Sequence, residues 1–325
     1  MMYLTRHPTP DGARWALNGH LLPAPLRLGF LLSLPRPALA QVLSSLPSGV
    51  PAPDHLLAPL EALHEVWGSG VTYQRSREAR RAESAAGDVY DRVYAAERPE
   101  LFFKSVGWRV AGHQAPVRIR ADSGWNAPEP EMVLVINAQG EIVGYTAGND
   151  LSSRSIEGEN PLYLPQAKIY AGGCALGPGL QLLPADDLAA LPVRLEIQRG
   201  GAVVFDGRTS TAQMNRAGEE LAAYLSRELT FPWGVFLMTG TGIVPPGEFT
   251  LQAGDQVRVQ VGDLTLVNNV AAGDHLITAR RFVIATGSSP LVPPIPGLDG
   301  APYFTNETLF ENTSRLDHLI IIGGG

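Results

Sequence analysis

Residues 131–147 read EMVLVINAQGEIVGYTA. A short apolar run, EMVLVIN, is followed by the turn AQG, and EIVGYTA follows at once. Two β-prone runs joined by a glycine turn predict an antiparallel hairpin. The same grammar recurs downstream. VRLEIQ at 193–198 alternates, RGG turns, and AVVFDG returns; QVRVQV at 256–261 alternates again. One clear helix is predicted over about 214–228, with Leu221, Leu225 and Leu229 on one stripe. Up to residue 270 strands dominate and no regular βαβ rhythm appears, which excludes a doubly wound parallel sheet. The expected class is α+β, mainly β. Residues 1–60 form a small region rich in Pro, Leu and Ala, with a helix near 36–46. The arginine-rich stretch 74–97 is predicted to form two helices broken at Gly87.

Acids sit at both open ends of the hairpin. Upstream, Glu129 and Glu131 lie two residues apart at a strand entrance or edge marked by Pro128 and Pro130, so period-two geometry turns both to one side. Downstream, GND brings Asp150 to the end of the second strand. Carboxylates side by side repel unless something cationic lies between them. An all-oxygen site with few protein ligands suits Mg²⁺, with Mn²⁺ or Ca²⁺ as alternatives. The bland readings are a solvated strand face and an ordinary turn. From Gly148 the chain continues GNDLSSRSIEGENPLYLPQAK and ends this polar run on Lys168.

Composition narrows the classes. The chain has 325 residues, 45% hydrophobic and 18% charged, which is globular. A net charge of −7 argues against nucleic acid as a partner. The sequence has no apolar stretch long enough to span a bilayer and no signal-like start, so a cytoplasmic protein is expected. The single cysteine, Cys174, has no partner for a disulfide or a thiolate metal site. The seven histidines form no metal-ligand pair. Lysine survives only at Lys104 and Lys168, against a background of arginine. A compact ammonium does what a flat guanidinium cannot, so both positions are candidates for function.

PEPEMVLVI, GYTAGNDLSSRS, LPQAK and TGTGIVPP, in that order, resemble the fumarylacetoacetate hydrolase superfamily over about residues 60–270. GVTYQRSREAR, YAAERPELFFK and IEGENPLYLPQAK are similar to its branch of sugar-acid dehydratases acting on 2-dehydro-3-deoxy pentonates. The resemblance implies a mixed β-roll or sandwich core, a divalent metal and a small 2-oxo carboxylate substrate. It implies domains at 1–60, 61–272 and 273–325, and a homo-oligomer. Carried over by motif, Glu129, Glu131 and Asp150 are the metal ligands. Lys168 and Lys104 are catalytic candidates; Arg154, Thr241 and Ser76 are substrate-side candidates.

Two departures from the family pattern matter. Hydrolytic members carry a His and a Glu on a lid helix, and here Tyr73-Gln74-Arg75 is followed by Ser76. That favours dehydration of a 2-dehydro-3-deoxy pentonate to 2,5-dioxopentanoate over C–C hydrolysis of an acylpyruvate. The general base is open, with Glu78, Glu83 and Glu97 as candidates. Arg154 is followed by Ser155 where the family has Asp, which raises a third reading, an impaired oxo-acid-binding protein.

Residues 277–325 change character. FVIATGSSP and LIIIGGG resemble a truncated piece of a flavin-dependent pyridine-nucleotide disulfide reductase. The nucleotide-binding turn is incomplete and no redox cysteine pair exists, so neither FAD nor NAD is expected as a cofactor.

Overall fold

A computed structural model describes residues 2–47, 49–83, 87–183, 188–272 and scattered positions from 295 to 320. The chain divides into two compact units, Met1–Gly273 and Asp274–Gly325. The second is described only in fragments: a single helical turn at Leu298–Gly300, and Thr305 and Thr308 exchanging amide-to-hydroxyl hydrogen bonds. FVIATGSSP lies outside the described residues, as does LIIIGGG apart from Ile320.

The first unit is built on a nine-stranded sheet. Its order is His20–Leu21, Gly12–Leu17, Met2–Thr9, Cys174–Leu182, Ile142–Asp150, Pro130–Ile136, Val235–Met238, Glu65–Gly70 and Glu100–Val106. The expected hairpin is its centre, with Glu131 opposite Gly148 and Val133 opposite Thr146. Its turn closes on the Asn137 side chain, whose Oδ1 accepts from the Gln139 and Glu141 amides, while Gly140 takes a positive φ of 78°. Strand Pro130–Ile136 is interior, so Pro130 marks an entrance and not an edge; the first residue of a strand tolerates the missing donor. Strand Val235–Met238 runs parallel to Glu65–Gly70, which makes the sheet mixed.

Alternation sends the central strands' side chains to two cores. Met132, Leu134 and Ile136, with Val235 and Leu237, pack towards a five-stranded sheet ordered Ala202–Ser210, Pro192–Arg199, Gln256–Val261, Leu264–Ala271 and Pro116–Arg118. Val133 and Val135, with Phe236 and Met238, pack on the opposite side with Leu28, Leu31, Leu39 and Leu43 of the N-terminal helical segments. The segment 1–60 thus supplies three strands at one edge of the sheet and a helical cover. No described helix is long and apolar enough to cross a membrane.

The helices at Arg36–Ser45, Gln74–Glu83 and Gly87–Ala95 lie where the sequence places them. The later helix is shorter than expected, Gly218–Leu225. Met214 forms a bridge with Tyr73, and the Asn215 amide donates to the Thr72 carbonyl, so the chain stays extended through those residues. Leu221 and Leu225 are buried, whereas Leu229 falls beyond the helix and is 41% exposed.

Candidate metal centre

On the face of strand Pro130–Ile136 that carries Val133 and Val135, the row reads Glu129, Glu131, Val133, Val135: the apolar core gives way to carboxylates at the strand entrance. The Asp150 amide donates to the Glu129 carbonyl, which sets Asp150 beside Glu129, while Gly148 lies opposite Glu131. Ligand oxygens of Glu129, Glu131 and Asp150 all lie within 4.8 Å of one another. All three residues are buried, which removes the solvated-face reading.

Each acid meets a different environment. Glu129 Oε1 accepts from Arg80 at 2.6 Å and Ser152 Oγ at 3.0 Å, and forms an ion pair with Arg154 at 2.8 Å. Its Oε2 accepts from Lys168 at 2.8 Å. Asp150 lies between Lys104, at Oδ1, and Lys168, whose Nζ is 2.9 Å from Oδ2. Burial works against the Asp150 carboxylate, but the two ammonium groups outweigh it and hold the acid below its ordinary range. Glu131 accepts from the Gly240 amide at 2.6 Å. Burial, then the charges of Asp150 and Glu129, push Glu131 well above the usual carboxylate range. A buried carboxylate held by an amide beside two others is the donor set that a hard divalent cation satisfies, so these residues fit Mg²⁺.

The surrounding chain explains these placements. Lys168 ends the short helix Leu164–Lys168, and Ser152 Oγ lies 2.7 Å from its ammonium. Its Nζ stands 5.7 Å from the Phe102 ring. Lys104 sits at a bulge: Phe103 pairs with Trp67 and Ser105 with Val66, leaving residue 104 unpaired and re-aimed. Its ammonium donates to the carbonyls of Leu151 at 3.0 Å and Lys168 at 2.5 Å, pinning the segments that carry the other groups. Gly240 has φ 90°, and a Cβ there would meet Thr72 Oγ1 at 2.1 Å; only glycine lets the TGTG turn aim its amide at Glu131.

Two of the substrate-side candidates, Ser76 and Thr241, line one cleft with Glu129 and Asp150. Thr241 Oγ1 donates to the Ile243 carbonyl and accepts from its amide. Ser76 Oγ does the same with Tyr73, fixing the start of the helix that carries Arg80. Arg154 borders Glu129 rather than the cleft, and pairs with Glu157 at 3.6 Å. Ser155 Oγ lies 2.9 Å from Ser123 Oγ, so Arg154 is oriented by two carboxylates despite the missing acid at 155.

Three groups escaped the sequence reading. Arg80 joins Glu129 to Glu157, 3.3 Å from the latter. Glu157 is itself buried. Glu100 lines the cleft, packed where a Cβ on Gly70 would touch its Oε2 at 2.1 Å. Burial, and then Glu157, push its carboxyl up to about 7, against the pull of Lys168 and Arg80. The period-two row Glu100, Phe102, Lys104 carried a signal for Glu100. The earlier base candidates fare differently: Glu78 and Glu97 are exposed away from the cleft, bonded to Gln74 and Tyr224, and the Glu83 side chain lies outside the described residues.

Residues 65–271 match the family model described as fumarylacetoacetate (FAA) hydrolase C-terminal. A probable 2-keto-3-deoxyxylonate dehydratase of Haloferax volcanii is 46% identical over 219 residues, 66% of this chain and 75% of that protein. A solved structure of 2-keto-3-deoxy-D-arabinonate dehydratase complexed with magnesium and 2,5-dioxopentanoate superposes with a TM-score of 0.72 at 32% identity, covering 84% of this chain and 100% of the other. A mercuric reductase of Bacillus cereus is 45% identical over 58 residues, only 9% of its length.

Proposed function

The chain belongs to the fumarylacetoacetate hydrolase family, and on that premise we propose that it is a divalent-metal-dependent lyase that dehydrates a 2-keto-3-deoxy pentonate to 2,5-dioxopentanoate. The observation that carries this reading is the buried triad Glu129, Glu131 and Asp150, of which Glu129 and Asp150 line a cleft that also holds Lys168 and Glu100. The likeness to dehydratases named for such sugar acids supports the substrate class. When bound, the ion supplies Lewis acidity towards the substrate's 2-oxo and carboxylate oxygens, which acidifies the C3 protons.

The chain's own residues do the rest. Lys168 places a positive charge beside the triad, where negative charge gathers as C3 is deprotonated. Glu100, held near 7, takes the C3 proton and returns it to the departing C4 hydroxyl, which leaves as water. C5 then loses a proton, C3 gains one, and the resulting enol becomes the aldehyde. Ser69 Oγ is buried in the cleft wall without a hydrogen-bond partner among the described residues, and Thr241 lines the same cleft; both suit the substrate's hydroxyl end. Lys104 acts by positioning Asp150 and the Lys168 backbone.

No histidine is among the described residues lining the cleft, which favours dehydration over hydrolysis of an acylpyruvate. The paired Arg154 tells against an impaired binder. The reading takes the protein as a cytoplasmic homo-oligomer; the exposed Phe30, Leu63 and Trp233 lining one groove support self-association. The test offers 2-keto-3-deoxy pentonates and acylpyruvates side by side with Mg²⁺. Semialdehyde from the former supports the lyase; pyruvate from the latter makes it a hydrolase; binding without turnover of either makes it a binder.

A further inference from the structure

The oxygens around the triad are unequally available. Glu129 Oε1 already accepts from Arg80 and Ser152 and is paired in charge with Arg154, and Asp150 Oδ1 faces the immobilised Lys104. That leaves Glu129 Oε2 and Asp150 Oδ2 as the oxygens these two acids can turn to an ion. Both are held by one ammonium, Lys168 Nζ, at 2.8 and 2.9 Å, and its third proton is directed at Ser152 Oγ at 2.7 Å. Three donors meeting three oxygens form a complete tripod, a cation site filled by the protein itself.

We propose that Lys168 is the resident cation of the metal-free protein, and that a divalent ion displaces its ammonium from Glu129 Oε2 and Asp150 Oδ2 into the cleft, where it meets substrate. The inference rests on the metal-dependent reading above. The two lysines then divide the work. Lys104 is tied to two backbone carbonyls besides Asp150 and stays in place. Among the described residues the Lys168 ammonium has only side-chain partners, so metal loading delivers it to the reaction. The arrangement explains why lysine is kept here: a compact ammonium shares the seat of a small ion, whereas a planar guanidinium does not. It also keeps two buried carboxylates compensated before the ion arrives, since leaving one uncompensated is strongly destabilising.

The sequence makes the test direct. Only two lysines exist, so the full chain carrying [ζ-¹⁵N]lysine has two side-chain Nζ resonances. Titration with Mg²⁺ alone, followed in parallel by calorimetry, should move the Lys168 resonance strongly and leave Lys104 nearly still, with Lys104→Met giving the assignment. Lys168→Met should bind Mn²⁺, read by electron paramagnetic resonance, about tenfold more tightly than the parent, because the competitor is gone. A Lys168→Met chain that folds only with Mn²⁺ present also supports the exchange. If the parent binds the ion and its Lys168 resonance stays put, or if Lys168→Met binds Mn²⁺ no better, the exchange is wrong while the metal site stands. If the parent binds neither ion, the metal-dependent reading falls with it.

Discussion

At residue 131 a carboxylate is buried with a backbone amide as donor and two other carboxylates as neighbours. Such a group costs stability until a cation arrives. Glu131→Gln should therefore make the metal-free protein more stable, by about 1 kcal/mol, while lowering Mg²⁺ affinity at least about 100-fold; denaturant melts and calorimetry read both. Glu100 differs, because it faces the cleft. Glu100→Gln should lower kcat by about 10²- to 10⁴-fold with metal affinity nearly unchanged. The active form is the carboxylate, so kcat/KM should fall as pH drops through about 7, the position of its raised pKa, and the ion's charge will draw that limb lower. The stability sign is opposite. Folding raises this acid from 4.5 to about 7, so its contribution is full below 4.5 and lost as pH rises towards 7. Glu129, Glu131, Asp150 and Lys168 were visible in the sequence because they lie in one hairpin and its continuation. Arg80 was not, because it reaches Glu129 from a helix 49 residues away along the chain; Glu100 was signalled only by its period-two row with Lys104, since the sheet order alone brings that strand to the cleft.

At the scale of elements, turns and bulges decide where functional groups point. The TGTG turn aims an amide at Glu131 only because Gly240 has a positive φ and no Cβ. Gly240→Ala should cost about 1–3 kcal/mol and weaken metal binding together, since Thr72 must yield; thermal melts and Mn²⁺ titration check the pairing. The central hairpin was legible because its apolar runs and its turn are adjacent in sequence. The bulge that re-aims Lys104 was not, since nothing within FFK marks which residue goes unpaired. Helix Gly218–Leu225 was overextended by the leucine stripe: periodicity continues to Leu229, but the chain is held extended at Met214 and Asn215, and the helix stops before Leu229. Leu221→Ala should destabilise by about 2–5 kcal/mol, and Leu229→Ala should change stability little, within about 0.5 kcal/mol.

At the scale of the molecule, the sandwich places the carboxylate triad where the central strands leave the core. Sheet packing was legible in outline, from many alternating strands without a βαβ rhythm. The contribution of residues 2–21 to the same large sheet was not, since those strands join it through Met2–Thr9 pairing with Cys174–Leu182, far along the chain. Unit Met1–Gly273 contains both cores and every cleft residue. A chain ending at Ala272 should therefore keep its melting temperature and turnover; loss of either would give the C-terminal unit a role. The measurement that tests the central claim most directly is the rate of 2,5-dioxopentanoate formation from a 2-keto-3-deoxy pentonate as Mg²⁺ is removed by EDTA and restored, in the parent and in Glu131→Ala. Activity that vanishes and returns with the ion in the parent, and is absent throughout in Glu131→Ala, is the predicted result. Dehydration that persists without metal, or survives in Glu131→Ala at the parent's rate, would contradict it.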